Sequence, residues 1–193
     1  MSIADRPRSK EVFLTDITEL RARARHHLND GAVTPAYGAD VGKTIDILQS
    51  VLATELVCVL RYTAHSINAS GLSSQSVKQE FAEHAREEHA HALVVAERIT
   101  QLGGKPDFNP ENLTGRSASQ YAEGENLVDM IRENLIAERI AVEHYRELIR
   151  YFGNDDPTTR VMLEGILVTE EEHADDMHDL LVMHEGKPML PNG

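Results

Sequence analysis

The stretch 166-ILVTEEEHADDM-177 sets Glu170 and His173 three residues apart, with Ile166 before them and Met177 after them. The stretch 81-FAEHAREEHAHALVV-95 repeats the arrangement, with Glu88 and His91 between Phe81 and Val95. Residues three and four apart lie on one helix face. Each Glu and His therefore points to the side that carries the apolar residues. Glu-x-x-His occurs at 88/91 and 170/173 and nowhere else in the chain. Two lone glutamates sit on similar stripes: Glu55 between Leu52 and Val59, and Glu138 between Leu135 and Val142.

The spacing repeats as well. Glu55 precedes Glu88 by 33 residues, and Glu138 precedes Glu170 by 32. A tyrosine follows each lone glutamate by seven, Tyr62 and Tyr145. The chain thus holds two similar helical hairpins, each supplying Glu-x6-Tyr and then Glu-x-x-His. An uncompensated buried carboxylate costs several kcal/mol even after relaxation. Four of them meeting at a pseudo-twofold axis would repel one another unless a cation neutralised them. A pair of divalent metals does so directly.

Apolar periodicity predicts four long helices, at about 41–69, 74–102, 125–152 and 156–184. At 1.5 Å per residue each is roughly 42 Å long. Gly103-Gly104 and Pro106 stop the second, Gly153 closes the third, and Pro157 sits in the first turn of the fourth. The first and second helices are joined by a short turn, as are the third and fourth, so each pair is an antiparallel hairpin. The connection 103–124 is long enough to run the length of a bundle. The expected fold is all-α: a four-helix up-down-down-up bundle with one long crossover between helices two and three. Residues 1–40 form an N-terminal arm with a short helix near 16–27, residues 41–184 form the bundle, and 185–193 form a tail.

Composition narrows the function. The chain has 193 residues, 19 Lys+Arg against 32 Asp+Glu, and a formal charge of -13. That excess opposes broad nucleic-acid binding, which needs clustered cations. Trp is absent and Cys58 is the single cysteine, so neither a disulfide framework nor a multi-cysteine metal site is available. No apolar run approaches the roughly 18 residues of a membrane span. Met1–Lys10 lacks an apolar signal core, and a cytoplasmic location is expected.

The pattern resembles the ferritin-like di-iron carboxylate superfamily. It covers about 41–184 and is most similar to bacterioferritin and related bacterial ferritin-like proteins. The resemblance implies two irons per subunit. Glu55 and His91 would be terminal ligands of one, Glu138 and His173 of the other, with Glu88 and Glu170 bridging. Tyr62 and Tyr145 match positions beside the site that hydrogen-bond a ligand or serve electron transfer. A hard, carboxylate-rich ligand set suits iron, with manganese as the alternative metal. Haem is not expected, because His89 stands where the bacterioferritin pattern has its haem-ligating Met. The tail 184-HEGKPMLPNG-193 leaves no room for the fifth helix of full-size ferritins.

The function implied is ferroxidase activity with iron storage and detoxification, using dioxygen or hydrogen peroxide. Its expected form is a homo-oligomer, either a shell of about 12 or 24 subunits or a dimer. A rubrerythrin-like peroxidase or Mn catalase on the same ligands is one alternative. A DNA-protecting mini-ferritin-like shell is another, resting on Arg6, Arg8, Lys10, Arg21, Arg23 and Arg25. Of the other polar residues, His84 and Asn134 are candidates for supporting the ligands, beside the blander reading as ordinary polar residues of the helices. His26, His27 and His65 are read as surface or helix-cap groups, Asp175 and His178 as surface or pore-side groups, and Cys58 as a small buried hydrophobe.

Overall fold

Asp40 opens the first long helix. Its carboxylate accepts from the Lys43 N–H at 2.9 Å, satisfying one of the free amides of the first turn. In the computed structural model, which describes residues 15–26, 28–71 and 74–185, this helix is α2 (Val41–Asn68). The chain divides into two units, Met1–Tyr37 and Gly38–Gly193. In the first, α1 (Ile17–Arg23) is capped by the Asp16 carboxylate, which accepts from Thr18 N at 2.8 Å. A 3-10 turn follows at Leu28–Asp30, so the arm helix is shorter than expected. Arg6, Arg8, Lys10 and His27 lie outside the described residues, as do 186–193 of the tail.

The second unit holds α2, α3 (Ser74–Gln101), the short α4 (Leu113–Arg116), α5 (Leu127–Phe152) and α6 (Pro157–Glu185). No strand occurs among the described residues. Gly103, at φ +84, ends α3 in the left-handed conformation that glycine adopts freely. Asn126 caps α5 by accepting from Asp129 N at 3.1 Å. Asp156 caps α6 by accepting from Thr159 N at 2.9 Å, with Pro157 in the first helical position. The same Asp156 pairs with buried Arg98 at 2.9 Å, and Arg98 Nε donates to Thr159 Oγ1 at 2.8 Å. The end of α3 is thereby clamped to the start of α6.

Cross-helix contacts fix the directions. Tyr62 of α2 meets Glu138 of α5, while the earlier Glu55 meets the later Tyr145, so α2 and α5 are antiparallel. Arg98 meets Thr159 while Glu87 meets His173, so α3 and α6 are antiparallel too. With two tight hairpins the order is up-down-down-up, and α3 and α5 run the same way.

The crossover is docked along α2. Gln49 bonds Lys105 O at 2.8 Å, Ser50 bonds Arg116 O at 2.8 Å, and Ala118 N donates to Thr54 Oγ1 at 2.9 Å. Arg61 then reaches Ser119 Oγ at 3.1 Å and Gln120 O at 2.9 Å, and His65 Nε2 lies 3.0 Å from Ala122 O. These contacts climb α2 from Gln49 to His65, about 24 Å at 1.5 Å per residue. Leu113 of α4 packs on Ala53 and Val57.

Two expectations are corrected here. His65 is buried rather than a surface or capping group. Asn134 supports no metal-ligand imidazole: its Oδ1 accepts from Arg61 Nε at 2.8 Å and its amide nitrogen lies 3.0 Å from His65 Nδ1. Both belong to the anchor of the crossover. His26 is exposed, His178 is partly exposed beside Asp179, and Cys58 is buried, each as expected.

Candidate metal centre

Each of the four long helices delivers part of the site. α2 supplies Glu55, α3 supplies Glu88 and His91, α5 supplies Glu138, and α6 supplies Glu170 and His173. The four glutamates and His173 are buried, and the His91 side chain keeps 12% exposure. The six form two overlapping groups. In one, ligand atoms of Glu55, Glu88, His91 and Glu170 all lie within 4.8 Å of one another. In the other, Glu88, Glu138, Glu170 and His173 do the same. Glu88 and Glu170 belong to both.

Both imidazoles turn Nδ1 inward. His91 Nδ1 is 2.9 Å from Glu170, 3.4 Å from Glu55 and 3.5 Å from Glu88. His173 Nδ1 is 3.7 Å from Glu88, while its Nε2 lies 2.7 Å from the Glu87 carboxylate on the outer side. Such an outer carboxylate fixes the ring and its tautomer and raises its basicity as a ligand. The sequence reading did not single out Glu87. Its signal was adjacency: Glu87 precedes Glu88 and so sits at the rim of the same face.

The tyrosines cross between hairpins. The Tyr62 hydroxyl donates to Glu138 Oε1, and the Tyr145 hydroxyl donates to Glu55 Oε1. Glu138 and Glu55 are each thus held by one oxygen, and Oε2 of each makes no hydrogen bond. Burial and the facing carboxylate push both phenols well above their ordinary pKa, so they stay protonated donors. His84 lies 3.1 Å from the Tyr62 oxygen and stacks on His173 at 3.9 Å between ring centroids. It therefore packs beside the site, the less favoured of its two readings from the sequence.

Eight ligand atoms here have no hydrogen-bond partner among the described residues. They are Oε2 of Glu55 and Glu138, both oxygens of Glu88 and Glu170, and Nδ1 of His91 and His173. A folded protein pairs nearly all buried polar atoms, and these groups could hold metal ions. The donor set fits two divalent cations. Four carboxylates balance four positive charges, and the neutral imidazoles complete each group.

Electrostatics carry the same message. Burial and the Glu88 charge push Glu55 up to about 8, and burial with Glu88 and Glu55 pushes Glu170 well up. Burial and Glu88 also raise Glu138. Burial opposes the charge on Glu88, but the facing imidazoles of His173 and His91 hold it well below the ordinary carboxylate range. Burial would lower His91, yet its contacts with Glu170, Glu55 and Glu88 raise it to about 12; similar contacts with Glu88 raise His173 to about 9. Without cations the cluster holds protons in their place.

The family model described as ferritin-like domain matches residues 45–185. The chain belongs to this family. Among relatives of this ferritin-like chain is the DNA protection during starvation protein of Pyrococcus furiosus, 29% identical over 154 residues, covering 78% of this chain and 82% of that protein. A bacterioferritin-related protein from Bacteroides fragilis, described as a dodecameric thioferritin, is 30% identical, with a TM-score of 0.73, covering 78% of this chain and 94% of that one. A ferritin-like, di-iron-carboxylate protein from Bacillus anthracis is 26% identical, with a TM-score of 0.65, covering 73% of this chain and 96% of the other. No helix among the described residues of the ferritin-like chain is long and apolar enough to cross a membrane.

Proposed function

We propose that this ferritin-like protein oxidises Fe(II) at an intrasubunit two-iron centre and so detoxifies or stores iron. The observation that carries the reading is the set of eight buried ligand atoms that make no hydrogen bond, arranged as two groups that share Glu88 and Glu170. Glu55, Glu88, His91 and Glu170 would hold one Fe(II), and Glu88, Glu138, Glu170 and His173 the other. Carboxylates are hard anions and favour Fe(III) over Fe(II), which drives electron loss. Two Fe(II) give one electron each. Hydrogen peroxide takes both electrons with two protons and leaves as two waters; dioxygen takes the same and leaves as hydrogen peroxide. Tyr62 and Tyr145 keep the terminal carboxylates aimed inward throughout.

Manganese in the same ligands would support peroxidase or catalase chemistry instead. The names of the relatives favour a second reading, in which the same iron chemistry serves a DNA-protecting shell. The dodecameric Bacteroides fragilis relative supports a homo-oligomer of mini-ferritin size over one of 24. Of the arm cations behind that reading, Arg21, Arg23 and Arg25 lie among the described residues, against a chain charge of -13. Anaerobic Fe(II) loading followed by dioxygen or peroxide tests the main reading. A rapid near-ultraviolet absorbance rise is expected, absent in Glu88→Ala and Glu170→Ala. Equal rates in those variants would reject it. A gel shift at low salt separates the protective reading: retarded DNA supports it, and free DNA removes it.

A further inference from the structure

Beside the two-metal centre, towards solvent, His84 of α3 faces Glu80 of the same helix and Asp176 of α6. His84 Nε2 is 3.5 Å from Glu80 Oε1 and 3.5 Å from Asp176 Oδ2. The three ligand atoms lie within 4.8 Å of one another. The proton bookkeeping at His84 is fixed from the other side of its ring. Tyr62 has one hydroxyl hydrogen, and it goes to Glu138. The Tyr62 oxygen can then only accept from His84 Nδ1, 3.1 Å away. With its hydrogen on Nδ1, His84 presents a lone pair at Nε2. That lone pair points at two carboxylate oxygens, so three acceptors converge with no hydrogen between them. The His84 side chain is 2% exposed.

We propose that Glu80, His84 and Asp176 form a third divalent-cation site, outside the two-metal centre. One imidazole nitrogen and two carboxylates suit a first-row divalent ion, with water completing its shell. The site opens outward, because Glu80 is 40% and Asp176 53% exposed. Its inner wall is the stack of His84 on His173 and the bond from His84 through Tyr62 to Glu138. It therefore joins solvent to two ligands of the buried centre. If the ferroxidase reading holds, its physiological occupant is Fe(II) captured on the way in; the cation site itself does not depend on that reading.

The test uses full-length, metal-free protein and Co(II) alone. Stoichiometry is measured by equilibrium dialysis, and positions by anomalous diffraction at the cobalt edge. The wild type should bind three Co(II) per chain, with one density between Glu80, His84 and Asp176. Glu80→Gln combined with Asp176→Asn, two partly exposed changes, should bind two and keep both central densities. Its Fe(II) concentration for half-maximal oxidation should rise severalfold with the maximal rate retained. Two Co(II) per chain in the wild type, or unchanged density at His84 in the double variant, overturns the proposal. Density at His84 with none in the centre would instead support the third site and overturn the two-metal reading.

Discussion

Glu170→Gln separates a carboxylate held for a cation from one held for the fold. Both oxygens of Glu170 are buried without a well-aligned hydrogen bond, His91 Nδ1 being the one opposing group at 2.9 Å, and the residue shares two groups with Glu55, Glu88 and Glu138. Two unit charges 4.8 Å apart repel by about 3 kcal/mol at an effective dielectric near 20. Partial protonation already relieves some of this, since Glu170 is pushed well up by burial and by Glu88. Removing the charge while keeping the shape should stabilise the metal-free protein by about 1–3 kcal/mol. For a chain of this size that is roughly a 2–12 °C rise in Tm, at about 2–4 °C per kcal/mol. The metal-bound state should respond in the opposite sense. Co(II) at a hundredfold excess over Kd stabilises the wild type by about 2.7 kcal/mol per site, and the variant should lose most of that gain. Scanning calorimetry with chelator and then with Co(II) reads both. A variant that melts lower than wild type by the same amount in both conditions would refute the reasoning, because Glu170 would then be holding the fold.

The metal-free protein should lose stability as pH rises from about 5 to 8. Glu55, raised to about 8 by burial and Glu88, binds a proton in the fold that the unfolded chain has already released. His91, raised to about 12, adds to the same fall above its ordinary value of 6.5. A Tm that rises across this window in chelator would contradict these shifts. Asp156→Ala should cost about 3–5 kcal/mol, since it leaves Arg98 buried without its partner and removes the α6 cap; denaturant unfolding at unchanged metal content checks it. Tyr145→Phe frees Glu55 Oε1 in a buried site and should cost about 1–3 kcal/mol. It should also slow iron oxidation more than it lowers metal stoichiometry, as stopped-flow absorbance and metal analysis would show.

Much of the bundle is legible in the chain because its signals are local. Gly103, Gly153 and Pro157 mark helix ends within a turn of where they fall. Glu-x-x-His needs only helical periodicity to place both side chains on one face, so the meeting of Glu55, Glu88, His91, Glu138, Glu170 and His173 follows from two matching hairpins. What escapes is settled by partners far along the chain. His65 looks like a surface residue until the crossover delivers Ala122 O to its ring. Asn134 lies one turn before Glu138, yet it turns to Arg61 because a buried guanidinium needs acceptors. The tyrosines lie two turns after a glutamate of their own helix but bond the glutamate of the opposite hairpin. Helix α4 is a single turn with no periodicity to read.

The central claim is that one subunit holds two metal ions bridged by Glu88 and Glu170. Mössbauer and electron paramagnetic resonance spectra of protein loaded anaerobically with two 57Fe(II) per chain and then oxidised test it most directly. Ions about 3.5–4 Å apart under shared carboxylates should couple. The account predicts an exchange-coupled ferric pair that is silent in electron paramagnetic resonance and is lost in Glu88→Ala. The signal of isolated high-spin Fe(III) at full loading of the wild type would contradict it.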